Sequence, residues 1–198
     1  MALTLRRLGE WVESIRVFEK AFTLDPANVF IATQLVDTLG FMNEWGRIES
    51  LLSEWLIKYP DSNDLKANQV RVTLQYRGDL ETARELFDLL RPWPGEKFVT
   101  TANTLLAFER DFDGWLALQD TPEVSSYAQF GAGRELTKGI IYHLKGDEDR
   151  SRLSLQNLLD DLLLRQPTGT YIDAFNQSNL ASCWSYLGNH EKAREASQ

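Results

Sequence analysis

The side chains that most often serve as metal ligands, nucleophiles or proton carriers near neutral pH are scarce here: two histidines and one cysteine in 198 residues. His143 and His190 lie 47 positions apart, and neither belongs to an H-E-x-x-H pair that would set two imidazoles on one helix face. His143 ends the helical stretch YHLKGD, where an imidazolium complements the negative end of a helix dipole. His190 follows the N-cap candidate Asn189 and reads as solvated. Cys183 stands beside Trp184 in an apolar helical pattern and reads as a buried, inert thiol. A single cysteine excludes an internal disulfide and a cysteine-based zinc site. The segment GAGRELTKG, Gly131 to Gly139, lacks the G-x-x-x-x-G-K-[ST] spacing of a phosphate loop and follows no strand pattern. Asp111-Phe112-Asp113-Gly114 and Asp147-Glu148-Asp149 open like calcium loops. Their twelfth positions, Pro122 and Leu158, hold no bidentate glutamate, so both read as turns that start helices. No catalytic residue, metal site or cofactor is expected, and the chain reads as a non-enzyme.

Composition narrows the partners. Apolar residues are 43% of the chain and charged ones 25%, the balance of a folded domain rather than a disordered one. The formal charge of −8 suits neither nucleic acid nor an anionic membrane surface, both of which recruit lysine and arginine. The N-terminus, MALTLRRLGEWVESI, has no signal-peptide layout, and no apolar run reaches 18 residues. The chain therefore reads as soluble and cytoplasmic, with its acidic residues spread over helix surfaces.

What positions any functional side chain is a repeat. Trp11 and Trp45 are 34 residues apart, as are Pro26 and Pro60, within the equivalent stretches GEWVESIRVFEKAFTLDP and NEWGRIESLLSEWLIKYP. A third copy, RGDLETARELFDLLRPWP, follows, and turns rich in Gly, Asn and Asp recur near 9, 43, 78, 111, 146 and 188. Each copy reads as two helices around such a turn, with Asp79, Asp147 and Asn189 as N-caps. Apolar residues recur at three and four positions, as in Ile15, Phe18, Phe22 and Ala83, Leu86, Phe87, Leu90. Second helices stop at Pro26 and Pro60, then at Pro92 and Pro94, because proline lacks the amide a helix needs. No alternation of the β type extends beyond a few residues.

This 34-residue helix–turn–helix period resembles the tetratricopeptide repeat. The first copy supplies Ser14, Phe18, Ala21 and Pro26, the second Ala32, Leu35, Leu39, Ile48, Leu52 and Pro60, and the third Val70, Leu74, Ala83, Phe87 and Leu90. Gly139, Tyr142, Ser151 and Leu155 match in the fifth copy, and Leu180, Ala181, Trp184 and Ala193 in the sixth. The resemblance implies an all-α, right-handed α-α superhelix of about five to six helix pairs, the first and last incomplete. The copies are 1–28, 29–62, 63–95, 96–124, 125–167 and 168–198 of one array. Neither end carries the polar outer face of a capping repeat, so the chain is expected to be part of a longer array or a longer protein.

In such a fold, first helices line a concave groove that holds a peptide or a partner helix. The expected function is a scaffold that binds a protein or peptide segment there. The alternative is a regulatory segment of a larger bacterial signalling or transcription-regulatory protein. Alignment on the turns puts Gln34 and Asp37, then Gln69 and Tyr76, then Thr137, then Asn179, Ser182 and Tyr186 on that inner face. Amides and hydroxyls at Gln34, Gln69, Thr137 and Asn179 would bond a peptide backbone. Phe30, Phe41 and Phe175 are expected to pack between helices. Some modules of this family clamp a chaperone's terminal carboxylate with groove lysines, arginines and asparagines. The second copy offers Phe30, Gln34 and Asp37 there, and Asp37 would repel that group, so this ligand is not expected.

Overall fold

The computed structural model describes residues 1–90, 96–122, 124, 133–169 and 171–197. Pro92, Pro94, Gly131 and Ala132 of the 131–139 segment and the last residue of the 166–170 loop lie outside the described residues. Twelve helices are described, and there is no strand among the described residues. They are α1 (Ala2–Arg7), α2 (Trp11–Leu24), α3 (Val29–Phe41), α4 (Trp45–Lys58), α5 (Asn63–Gln75), α6 (Leu80–Asp88), α7 (Glu96–Glu109), α8 (Phe112–Gln119), α9 (Gly133–Leu144), α10 (Glu148–Leu164), α11 (Tyr171–Tyr186) and α12 (His190–Ala196). They fall into two compact units, Met1–Glu109 and Arg110–Gln198.

The caps explain where helices begin. The side chains of Asp79, Asp147 and Asn189 accept hydrogen bonds from the amides of Thr82, Arg150 and Lys192 at 3.0, 3.2 and 3.2 Å, as the sequence predicts. Asn28, Ser62 and Asp111 do the same for Ile31, Leu65 and Gly114. The turns before the second helices reverse through one left-handed residue: Gly78 at φ +68°, Gly146 at +77° and Gly188 at +83°. Glycine carries no Cβ penalty there. Asn43 and Arg110 take the same conformation at +58° and +55° without being glycine.

In the first unit each helix packs on the next, and α5 also packs on both α3 and α7, so three first helices stand side by side. Ile15, Phe18, Leu35, Val36, Leu39, Ile48, Leu52, Trp55, Leu65 and Val72 form a buried core beneath them. Each such side chain contributes about 1.5–3 kcal/mol by leaving water. The second unit repeats the scheme, with α9 against α10, α11 against α12 and α9 against α11. Its core holds Leu155, Leu158, Leu159, Leu162 and Cys183. Helices α9 and α10 meet closely at Gly139, where a Cβ would lie 2.6 Å from the Leu155 Cγ. The buried Ser151 hydroxyl donates to the Gly139 carbonyl at 2.8 Å and fixes the crossing.

Candidate functional site

The polar side chains that packing does not use converge in the first unit, on the face shared by α3, α5 and α7. A pocket of about 270 Å³ is lined there by Gln34 and Asp37, by Ala67, Asn68 and Arg71, and by Lys97, Thr100 and Thr101. Helical spacing explains the set: three and four residues separate the members on each helix.

Asp37 is the hub. Its Oδ1 lies 3.1 Å from the Arg71 Nη2, and its Oδ2 3.4 Å from the Lys97 Nζ. Lys97 also reaches the Asn68 Oδ1 at 3.4 Å. These contacts are long for charge-assisted bonds, which favour 2.7–2.9 Å. Burial pushes the Lys97 ammonium below its ordinary pKa. Asp37 opposes that shift, Arg71 adds to it, and Asp64 opposes it as well. The Asn68 Nδ2 and the Arg71 Nε are closed off from solvent without an acceptor. A buried donor left unpaired costs about 1–3 kcal/mol, so the pocket holds donors in excess of acceptors.

Beyond the pocket, Arg6 of α1 donates to the Gln34 Oε1 at 2.9 Å and to the Thr38 hydroxyl at 3.3 Å. Its guanidinium lies 5.9 Å from the Phe41 ring centre, and Trp11 lies 5.5 Å from the same ring. Phe41 is nonetheless 66% exposed and Phe30 60% exposed. The expectation that these two pack between helices is therefore corrected. They stand at the outer end and the outer edge of α3, whose inward positions are already filled by Ala32, Leu35, Val36 and Leu39. Phe175 is 49% exposed as well.

Of the residues expected on the inner face, Gln34 and Asp37 come together. Gln69 lies elsewhere, in a hollow lined by Leu56, Pro60, Lys66, Leu86 and Leu89 from α4, α5 and α6 and their margins. The reason is a change of register within the third copy. The N-caps Asn28 and Ser62 are 34 residues apart, whereas the left-handed turn residues Asn43 and Gly78 are 35 apart. The extra residue sits at the end of α5. Counted from the caps, Gln34 and Asp37 correspond to Asn68 and Arg71, the residues that line the pocket. Counted from the turns, they correspond to Gln69 and Val72, and Val72 is in the core. Tyr76 is the half-exposed C-cap residue of α5.

The other expected residues belong to the second unit. The hydroxyls of Thr137 and Ser182 donate to their own helix backbones, at Gly133 and Ser178, over 2.6 and 2.9 Å. Asn179 is half-buried on α11. The Tyr186 ring meets the His143 ring edge-on at 5.6 Å, and the His143 Nδ1 lies 2.9 Å from Glu148, at the helix end where the sequence puts it. A larger hollow of about 1250 Å³ beside α11 and α12 includes Ser182 and Tyr186 but is lined mainly by alanine and serine. Burial pushes the Cys183 thiol up to about 11.

Among the described residues, no three His, Cys, Asp or Glu side chains are grouped to hold a metal ion. No described helix is long and apolar enough to cross a membrane.

No family model matches the chain. The pre-mRNA-splicing factor SYF1 of Yarrowia lipolytica is 28% identical over 170 residues, which is 84% of this chain and 20% of that protein. The chain thus spans about a fifth of that relative's length. The crystal structure of PilW, a widely conserved type IV pilus biogenesis factor, superposes with a TM-score of 0.67 over 98% of this chain and 86% of PilW, at 14% identity. A tetratricopeptide repeat protein from Parabacteroides merdae gives 0.60 over 98% of this chain and 74% of its own, at 13% identity. At such identities the likeness speaks to fold. The chain has the tetratricopeptide fold, an all-α stack of paired helices.

Proposed function

We propose that the chain is a protein-interaction scaffold that docks an extended or helical segment of a partner protein along the face of α3, α5 and α7. The observation that carries this reading is the polar pocket on that face. Gln34, Asp37, Asn68, Arg71 and Lys97 converge where the core needs no polar side chain, and two of the donors lack acceptors. Polar groups that fold stability does not require, set together in a hollow, are the ordinary material of a recognition site. The exposed Phe30 and Phe41 on the same helix add apolar anchors of the kind that dominate interface energetics. The fold likeness to PilW, a type IV pilus biogenesis factor, agrees with a scaffold role. The reading requires no chemistry of the chain's own.

Photo-crosslinking tests it. Benzoylphenylalanine placed at position 34, on the pocket face, is expected to capture one discrete partner. The same group at position 85, on the exposed side of α6, is expected to capture none. Equal capture at both positions would contradict docking on the first-helix face.

A further inference from the structure

We propose that Lys97 is a reversible carboxylation site, whose amine takes up carbon dioxide as a carbamate held between Asn68 and Arg71. The proposal does not depend on the docking of a partner. Asn68 is only 3% exposed, and its Oδ1 stands 3.4 Å from the Lys97 Nζ while its Nδ2 has no acceptor. An ammonium offers an amide only donors, so it can engage only the oxygen side. A lysine carbamate offers an N–H and an oxygen side by side, because one of its two oxygens always lies next to its N–H. The N–H then faces the Asn68 Oδ1, and that oxygen faces the Asn68 Nδ2. The second oxygen meets Arg71, whose Nε is also closed off without an acceptor and whose Nη2 lies 3.1 Å from Asp37. A guanidinium fork suits such a place between two carboxylates. An acetyl group on Lys97 would bring one oxygen only and leave the Arg71 Nε as it stands. The three added heavy atoms need roughly 60 Å³, the share of two waters, and the hollow offers about 270 Å³.

The same walls keep the amine reactive. The Lys97 side chain is 27% exposed, open enough for a small neutral molecule to reach it. Burial favours its uncharged form, Asp37 of α3 opposes that, Arg71 of α5 adds to it, and Asp64 of α5 opposes it. Helix α6, which also packs on α7, sends Arg84 to Glu109 at the other end of α7. The step balances without oxidant or reductant. The Lys97 ammonium first gives one proton to water. The freed lone pair forms the C–N bond, one C–O π pair moves onto oxygen, and the nitrogen releases a second proton to water, with Asp37 as the adjacent base at 3.4 Å. Two cations beside one carboxylate become one cation between two, so the pocket changes sign with dissolved carbon dioxide.

The experiment equilibrates the intact 198-residue chain with carbon-13 bicarbonate at pH 8, traps carbamates as ethyl esters with triethyloxonium, and locates them by peptide mass spectrometry. Lys97 is expected to carry the labelled ester at least tenfold above Lys20 on α2 and Lys58 on α4, the latter held protonated by its hydrogen bond to Glu54. Acidifying to pH 5 before trapping should abolish the ester, because a carbamate returns carbon dioxide when its nitrogen is protonated. Unfolding in guanidinium chloride should bring Lys97 down to the level of the other two lysines. Asn68→Leu keeps the side chain's size without the amide edge and should lower the Lys97 ester at least fivefold, with circular dichroism checking the fold. An ester at Lys97 no higher than at Lys20 and Lys58 would overturn the proposal, as would a label that persists when the acid step precedes trapping. A folded Asn68→Leu chain that keeps the full ester would overturn it too. Where that variant does not fold, the parent chain compared folded and unfolded decides alone.

Discussion

Gly139 offers the sharpest test of how the helix pairs are held. An alanine there would place its Cβ 2.6 Å from the Leu155 Cγ and 2.7 Å from its Cδ2. Carbon atoms prefer about 3.5–4.0 Å, so the overlap is roughly 1 Å against two atoms. Leu155 is 1% exposed and cannot swing into solvent. Helix α9 cannot back away without stretching the buried Ser151–Gly139 hydrogen bond of 2.8 Å, which contributes about 1 kcal/mol. Overpacking of this kind costs about 1–3 kcal/mol, against about 1 kcal/mol gained from replacing a helical glycine by alanine. The net expectation for Gly139→Ala is a loss of roughly 2 kcal/mol once the strained hydrogen bond is included. Urea unfolding followed by circular dichroism should show a lower midpoint with an unchanged slope. Leu155→Ala alone should cost about 2–5 kcal/mol, yet in the Gly139→Ala background it removes the clash, so the double variant should lie at least about 1 kcal/mol above additivity. A harmless Gly139→Ala, or strict additivity, would refute the close crossing of α9 and α10.

The remaining expectations are quicker to check. Gly146→Ala meets no neighbouring atom but forces a left-handed alanine, so it should lower stability by about 1–2 kcal/mol in the same unfolding assay. Arg110→Gly relieves that conformation and should raise stability by about 1 kcal/mol. Cys183, with its thiol pushed up to about 11, should ignore a disulfide reagent at pH 8 in the folded chain and react once urea unfolds it. Lys97 has a folded pKa below its unfolded value. The unfolded chain therefore holds more protons across the window between the two, and this group's contribution to stability rises with pH there. Lys97→Met should accordingly be the more stable protein at pH 7. Its lead over the parent should shrink as pH climbs toward 10.5, read as the difference between two urea titrations.

The helix pairs were legible because their signals are local. A cap such as Asp147 and a left-handed glycine such as Gly146 each act within a turn, and their residue types announce the role. Gln34 and Asp37 were legible for the same reason, lying in a well-marked second copy. Asn68 and Arg71 were missed because the turn was the stronger marker and the extra residue lies between it and the cap. Ser62 carried the signal that would have found them, since cap-to-cap spacing holds at 34. Lys97 was missed for another reason: its copy lacks the marked residues of the first three, and only the stacking of α7 on α5 brings it to Asp37. Phe30 and Phe41 misled because aromatic type suggests packing, whereas four smaller residues on α3 already fill the inward face.

Hydrogen exchange reads docking on the first-helix face without any substitution in the chain. The chain is mixed with a peptide selected for binding from a random 12-residue library, and amide exchange is followed by mass spectrometry with and without it. Slowed exchange is expected in α3, α5 and α7, with α4 and α6 unchanged. Protection confined to α4 and α6, or none in α3, α5 and α7 at saturating peptide, would contradict it.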